Sequence, residues 1–200
     1  FVGFETVRTT DTNGNYTIDY YHQRAGINND AKGEVEDNIA KRGRKYRSET
    51  YDASGKLLNA ELSRYTVSSL AGGTRFAVRL AQKTSMDYEG NSTPRAKAAT
   101  YSYDSFGNPT TITDFGEVTL NNPAGDFSDI GNDKLTTTKT YALNSAKNIT
   151  SLPSRAVVVD STGTTVKESK WSYDGLNSGE VDRGNLTKNE QLLSANTYVS

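Results

Sequence analysis

The chain has 200 residues with 23 basic and 24 acidic side chains, a formal net charge of −1, and no cysteine. This balance gives no global electrostatic reason to bind nucleic acid or an anionic membrane, and the lack of cysteine excludes disulfides, thiolate catalysis and cysteine metal sites. Only 34% of residues are hydrophobic, and the mean hydropathy is −0.71. Because tyrosine, threonine and valine are plentiful, we expect strands with one wet face rather than disorder.

Short β-rich segments separated by turn residues predict an all-β chain of antiparallel hairpins. Val35, Ile39 and Ala40 lie at helical offsets and predict one short helix near residues 34–42, with Gly43 as its C-terminal cap. No linker divides the chain, so we expect a single segment over residues 1–200 that belongs to a longer polypeptide. Strands are expected over residues 2–10, 16–22, 44–51, 57–70, 74–86, 110–113, 136–142, 155–160 and 164–173.

Five turns share the spacing D-x-x-G. An aspartate side chain accepts a hydrogen bond from the backbone N–H two residues on, and a glycine three positions later takes a positive φ without a Cβ clash. The copy at Asp104 is the most complete, and a second aspartate-glycine turn is expected at Asp114 to Gly116. The predicted turn residues are Asp11, Gly14, Asp52, Gly55, Asp87, Gly90, Asp104, Gly107, Asp160 and Gly163.

Tyrosine directly precedes two of these aspartates, at Tyr51 and Tyr103. A third pair, Tyr173-Asp174, lacks the glycine at the expected place and runs on to Gly184-Asn185-Leu186-Thr187. We expect the three tyrosines to pack strand against strand. Repetition of this kind indicates a chain built from supersecondary units.

No combination of residues indicates catalysis or a cofactor, so we expect no enzyme and no metal site. His22 is the only histidine, and without cysteine it supplies no familiar zinc set, so we interpret it as structural. Asp11 to Asn15 begins like a calcium loop but lacks the later ligands. Asp126, Asp129 and Asp133 could gather around a cation, but their flanking glycines suit a plain loop equally well. The basic run from Lys41 to Arg47 is interpreted as a solvated helix end.

Trp171 and the tyrosines leave a second interpretation open. Aromatic side chains stack on sugars when they are exposed, so an extracellular glycan-binding or adhesion module is the alternative function. Evenly spaced tyrosines at strand ends are explained more simply as packing residues.

The sequence resembles the tyrosine-aspartate (YD) repeat of the Rhs family, together with SpvB-like and toxin-complex B proteins. Spacing departs from that pattern, because Asp52, Asp104 and Asp174 lie about fifty to seventy residues apart. In this family the repeats form a shell, and an aspartate-proline-rich segment closes and cuts it. This sequence lacks that segment, so no autoproteolytic residue is carried over. The resemblance rests on Tyr103-Asp104-Ser105-Phe106-Gly107-Asn108 with Asp114-Phe115-Gly116-Glu117, Phe1-Val2-Gly3-Phe4, Tyr20-Tyr21-His22-Gln23, Gly43-Arg44, Tyr51-Asp52-Ala53-Ser54-Gly55, Thr136-Thr137-Thr138, Tyr141-Ala142, Leu152-Pro153-Ser154-Arg155 and Tyr173-Asp174 with Arg183-Gly184-Asn185-Leu186-Thr187.

This resemblance implies a segment of a large secreted or surface protein of bacteria that contributes to virulence. In that family, the repeats wind a long β-sheet into a hollow shell around a C-terminal toxin or effector. The implied partners are the rest of the same polypeptide shell and the enclosed toxin domain, or cell-surface glycans on the alternative interpretation. Neither nucleic acid nor a membrane span is expected.

Overall fold

The structure, a computed structural model, describes residues 3–23, 26, 28–194 and 197–199. Val2 and Arg24, at the ends of two expected segments, lie outside the described residues. The described strands are β1 Thr6–Thr10, β2 Tyr16–Tyr21, β3 Lys45–Tyr51, β4 Leu57–Leu70, β5 Arg75–Asp87, β6 Arg95–Tyr103, β7 Pro109–Leu120, β8 Phe127–Asp129, β9 Leu135–Asn144, β10 Ile149–Val159, β11 Thr165–Tyr173, β12 Leu186–Ser194 and β13 Thr197–Val199.

The predicted all-β class is confirmed, because the described helices are four 3₁₀ segments of three residues each: Asp30–Lys32, Ile39–Lys41, Ala71–Gly73 and Ser145–Lys147. Most strands that are consecutive in sequence are neighbours in the sheet, the exception being β8 and β9, which both pair with β7. The antiparallel β4–β5 hairpin has a register that runs from Asn59↔Asp87 to Leu70↔Arg75. Among these helices, none is long and apolar enough to cross a membrane.

The chain divides into two compact units. Unit 1 comprises residues 1–99 and 115–131 and has the strand order β1-β2-β3-β4-β5-β6, with β8 paired to the Val118–Leu120 part of β7. Burial of alternating strand residues gives this unit its core. The core residues are Tyr20, Tyr46, Ala60, Leu62, Met86, Ala96, Ala98 and Val118.

Unit 2 comprises residues 100–114 and 132–200 and has the order β7-β9-β10-β11-β12-β13. Its buried apolar cluster is smaller and consists of Ala142, Tyr173 and Val181. Ile149, Leu152 and Trp171 pack against this cluster and are partly buried.

The helix expected near residues 34–42 does not form, and a single 3₁₀ turn over Ile39–Lys41 takes its place. Glu36 has a φ of +49°, which no continuous right-handed helix accommodates. Asn38 is extended, and its side chain accepts the backbone N–H of Ala40 at 2.9 Å, which starts the short turn. Gly43 has a positive φ of 74° but follows a non-helical residue.

A second correction concerns the turn expected at Asp114 to Gly116, which lies inside β7. Phe115 packs edge to face on Phe127, with 4.9 Å between the ring centroids. This contact holds the segment in the sheet, and Gly116 (φ +63°) marks an irregularity within the strand rather than a turn between strands. Residues 121–134, where no strand was expected, contain the short strand β8.

Candidate functional site

Four of the five predicted D-x-x-G turns share one backbone geometry. In each turn the aspartate N–H donates to the carbonyl four residues on, at 2.8–3.0 Å, and the glycine N–H donates back to the aspartate carbonyl, at 3.0–3.2 Å. Each glycine has a φ between 85° and 94°. This is a three-residue hairpin loop, a type I turn followed by a left-handed glycine. The four turns begin at Asp11, Asp52, Asp104 and Asp160.

The aspartate carboxylates hold these turns from inside. Each Oδ1 accepts the backbone N–H two residues on and the one four residues on, at 2.8–2.9 Å. The pKa values of Asp11, Asp52 and Asp160 are lowered, chiefly by side-chain hydrogen bonds from Asn15, Ser54 and Thr162 respectively. The carboxylate of Asp11, at the start of the segment that begins like a calcium loop, thus accepts hydrogen bonds from its own turn.

The turn at Asp87 differs from the other four. The N–H of Glu89 donates to Asp87 Oδ1 at 3.2 Å, and both Glu89 and Gly90 have positive φ. A longer connection follows, since β5 ends at Asp87 and β6 begins at Arg95. The spacing D-x-x-G alone therefore does not specify the three-residue loop.

Asp174 closes a hairpin with a much longer loop. Its N–H donates to the Asn185 carbonyl at 2.8 Å, and Gly184 before Asn185 has a φ of +88°. Oδ2 accepts the N–H groups of residues 182, 183 and 184, and Oδ1 accepts that of Asn185, at 2.7–3.0 Å. The hydrogen bond from Gly184, followed by the other backbone donors, holds the pKa of Asp174 far below its usual range.

The three tyrosines that precede aspartates lie in different surroundings. Tyr173 is buried, and its hydroxyl donates to the Pro153 carbonyl at 2.8 Å. Tyr51 stacks on Tyr16 with 4.8 Å between ring centroids, and Tyr103 is half-buried.

A buried carboxylate that sequence reasoning missed lies at the centre of unit 1. Glu49 is 2% exposed and accepts hydrogen bonds from Tyr20 and Tyr51 at 2.8 Å each and from Arg47 at 2.7 Å. Lys32 reaches both carboxylate oxygens at 2.9–3.0 Å. Burial by itself would raise the pKa of Glu49, but the hydrogen bonds from Lys32, Tyr51 and Tyr20 outweigh it and lower the pKa to about 2.

The basic run from Lys41 to Arg47, expected to be a solvated helix end, is solvated only in part. Lys41 and Arg47 are buried, as is Tyr46 between them in sequence, whereas Arg42, Arg44 and Lys45 are exposed as expected. Lys41 donates to the Val35 carbonyl at 3.0 Å. Within β3, only Lys45 is exposed, and the neighbouring Tyr46 and Arg47 are both buried, so a simple alternation of polar and apolar residues does not identify them.

The remaining predicted candidates have different surroundings. His22 is buried beside Glu34 and Asp37 in the connection after β2. Asp126 pairs with Arg64 at 2.7 Å and accepts the Asn122 amide at 2.6 Å, whereas Asp129 lies in β8. The acidic residues of this loop therefore serve separate contacts. Trp171 is half-buried against the cluster of Tyr173.

Geometry thus defines an antiparallel all-β protein whose hairpins are closed by aspartate-centred turns. No protein-family profile matches the chain, and no curated protein matches it. Among solved structures, the chain is similar to one chain of a structure described as "Crystal Structure of TcdB2-TccC3-Cdc42", with a TM-score of 0.61 and 14% sequence identity. The similarity covers 88% of this chain and 13% of that one, and at this identity it shows a shared fold.

Proposed function

We propose that this chain is a structural segment of a secreted or surface-exposed bacterial polypeptide, and that it forms part of a hollow β-sheet shell around a C-terminal toxin or effector. The observation that carries the proposal is the repeated hairpin closure, found four times with the same hydrogen bonds and the same left-handed glycine. A chain that repeats one closure extends a sheet strand by strand, which is what a wall requires.

Two independent similarities support this proposal. The sequence resembles YD-repeat and toxin-complex B proteins at motifs spread over nearly the whole chain. The fold is similar to a chain of the TcdB2-TccC3-Cdc42 structure, of which it spans 13%. A short segment of a much longer β polypeptide is consistent with both.

The surface of the sheet also suits a segment with further neighbours. Phe76, Val166 and Leu186 are about half exposed on their strands. Apolar side chains in such positions gain free energy when other parts of a polypeptide cover them. In the proposed shell, the enclosed domain or adjoining strands cover part of this surface.

The proposed roles of individual residues are structural. Asp11, Asp52, Asp104 and Asp160 fix the three-residue loops with their glycines, and Asp87 with Gly90 starts a longer connection. Tyr51, Tyr103 and Tyr173 fill the space at strand ends. On this proposal the segment supplies no catalytic group and needs no cofactor, and the chemistry of the whole protein belongs to the enclosed domain.

Protection from protease tests containment. The complete polypeptide is digested beside its isolated C-terminal domain, and cleavage of that domain is followed with time. The proposal predicts that cleavage is slowed at least about tenfold in the complete polypeptide and returns to the isolated rate in urea that unfolds the sheet. Equal cleavage rates without denaturant would contradict containment.

Glycan binding has less support. The alternative interpretation relies on Trp171 and the tyrosines. Of these, Tyr173 is buried in the small apolar cluster of unit 2, and Trp171 packs against that cluster and is partly buried. A glycan array with the wild type and Trp171→Ala separates the two functions. Saturable binding that the substitution abolishes would favour the adhesion module.

A further inference from the structure

Three ligand-type side chains meet in the connection between β2 and β3. His22 Nδ1 lies 2.9 Å from Glu34 Oε1 and 3.5 Å from Asp37 Oδ1. The nitrogen and the two carboxylate oxygens all lie within 4.8 Å of one another. Each residue therefore offers one donor atom to the same small volume.

The histidine nitrogen has no satisfied hydrogen bond there. His22 is 1% exposed, and its Nδ1 has no partner with hydrogen-bond geometry, although Glu34 Oε1 is close. The hydroxyl of Tyr46 is likewise buried without a partner, and its ring lies 5.0 Å from the His22 ring. A buried polar atom without a partner is costly, so the His22 nitrogen beside two carboxylates suits a position at which a ligand binds.

We propose that His22, Glu34 and Asp37 bind one divalent transition-metal ion of the zinc type. With metal–ligand distances of about 2.1 Å, two donor atoms at a tetrahedral angle lie about 3.4 Å apart. The two distances from Nδ1, 2.9 Å and 3.5 Å, lie on either side of that value. Imidazole favours zinc and its neighbours over calcium or magnesium, which prefer oxygen donors alone.

The surroundings prepare these three side chains for an ion. Glu34 Oε2 accepts the N–H of Asn29 at 2.8 Å, which leaves Oε1 directed at His22.

Nearby charges leave room for a divalent cation. The Lys41 ammonium lies near the cluster, but Glu36 lies 3.7 Å from its nitrogen and offsets its charge. Glu34 and Asp37 each offer one carboxylate oxygen to the ion. The backbone of His22 is already fixed, because its N–H and carbonyl bond to Arg44 and Gly43 at 2.9 Å and 2.8 Å.

Such an ion would clamp the loop over residues 28–38 onto the end of β2. This role is structural, since all three donor residues are at least half-buried. His22 precedes the 3₁₀ turn at residues 30–32, and Glu34 and Asp37 follow it. It is independent of whether the chain forms a shell.

Titration with Co²⁺ and Zn²⁺ tests the site. The protein is stripped with chelator and titrated with CoCl₂ while the visible d–d absorption is recorded, and ZnCl₂ is then added as competitor. We expect one equivalent of Co²⁺ with d–d bands, displaced by Zn²⁺. Featureless spectra together with no Zn²⁺ binding by calorimetry would overturn the proposal.

Matched variants assign the ligands. Glu34→Gln and Asp37→Asn keep the shape of the side chain, and each is expected to weaken Zn²⁺ binding by more than about 100-fold, beyond the usual cost of losing an outer-shell partner. Glu61→Gln, an exposed carboxylate of the same unit paired with Lys83, is the control and should bind as the wild type. Equal affinity in all three variants would contradict the assignment.

Nuclear magnetic resonance adds a readout that loss of folding cannot imitate. Because His22 is the only histidine, ¹⁵N-histidine labelling gives a single imidazole. Zn²⁺ should shift its Nδ1 resonance strongly and leave Nε2 protonated. A shift at Nε2 alone, or no shift at one equivalent, would rule out the proposed geometry.

Discussion

Two long hairpin connections, one in each unit, are closed by the same kind of backbone hydrogen bond, but different side chains hold their loops in place. In unit 2, the Asp174 N–H bonds to Asn185, which follows the left-handed Gly184. In unit 1, the His22 N–H bonds to Arg44, which follows the left-handed Gly43. His22 thus occupies the position that aspartate takes in the other hairpins, and tyrosine precedes both residues.

The side chain at this first position determines how the loop is held. The Asp174 carboxylate collects four backbone N–H groups at 2.7–3.0 Å, so the loop of unit 2 is organised by its own main chain. An imidazole cannot accept several N–H groups. The loop of unit 1 is held by its own side chains instead. The carboxylates of Glu34 and Asp37 lie beside His22, and the ammonium of Lys32 pairs with Glu49.

The largest effect is expected in unit 1 from Glu49→Ala. The substitution leaves Arg47 and Lys32 without their common carboxylate and two tyrosine hydroxyls without an acceptor. Breaking a buried charged network in this way should lower the free energy of unfolding by about 3–5 kcal/mol. Urea unfolding followed by tyrosine fluorescence measures it.

Glu61→Ala is the control for that experiment. Glu61 pairs with Lys83 at 2.7 Å, but both side chains are more than 40% exposed. Its removal should cost less than about 1 kcal/mol. Similar losses for the two variants would show that Glu49 is not the centre of unit 1.

Acid should unfold unit 1 through the same carboxylate. The pKa of Glu49 falls from 4.5 to about 2 in the folded state, so its stabilisation is complete above pH 4.5 and is lost as the pH falls toward 2. The loss is on the order of 3 kcal/mol. Unfolding free energies measured from pH 6 to pH 2 should show this slope in the wild type and a clearly shallower one in Glu49→Gln.

A backbone change should have a smaller effect in unit 2. Gly107 has a φ of +94°, where a β-branched side chain is strained. Gly107→Val should destabilise the protein by about 1–3 kcal/mol, measured as a lower midpoint in urea. Gly107→Asn should cost less, because asparagine tolerates positive φ better, and an unchanged midpoint for the valine variant would contradict the turn geometry.

The smallest effect is expected for Asp174→Asn, and it should be local. An amide offers one acceptor oxygen in place of two, so the N–H groups of residues 182–184 lose part of their shared partner. Hydrogen exchange at these three amides should speed up while exchange in β4 and β5 stays unchanged. Uniform exchange rates across the loop in wild type and variant would mean that the carboxylate does not organise it.

Local patterns in the sequence accounted for much of the fold. The β4 strand was expected over residues 57–70 and spans Leu57–Leu70, because its turn residues on both sides have strong local preferences. The geometry at Asp104 follows from the same local rules. The interval from residue 22 to residue 44 could not be predicted, since its conformation depends on contacts with the distant Glu49 and on positive φ at Glu36.

The buried polar core was also beyond local patterns. Glu49, Arg47 and Lys41 look like solvent-exposed residues in sequence. The pairing of β2 with β3 brings Tyr20 to Glu49, and the connection between these strands brings Lys32. His22 showed no partner because Glu34 and Asp37 lie more than ten residues away in the chain. By contrast, the tyrosine-aspartate pairs were visible because each motif is local.

Electron cryomicroscopy of the complete polypeptide that carries this segment tests the central claim most directly. If the segment is part of a wall, the particle should be closed and hollow, with the strands of residues 6–199 in its continuous sheet and density for a further domain inside. A solid compact particle or an extended rod with no enclosed volume would contradict the containment function.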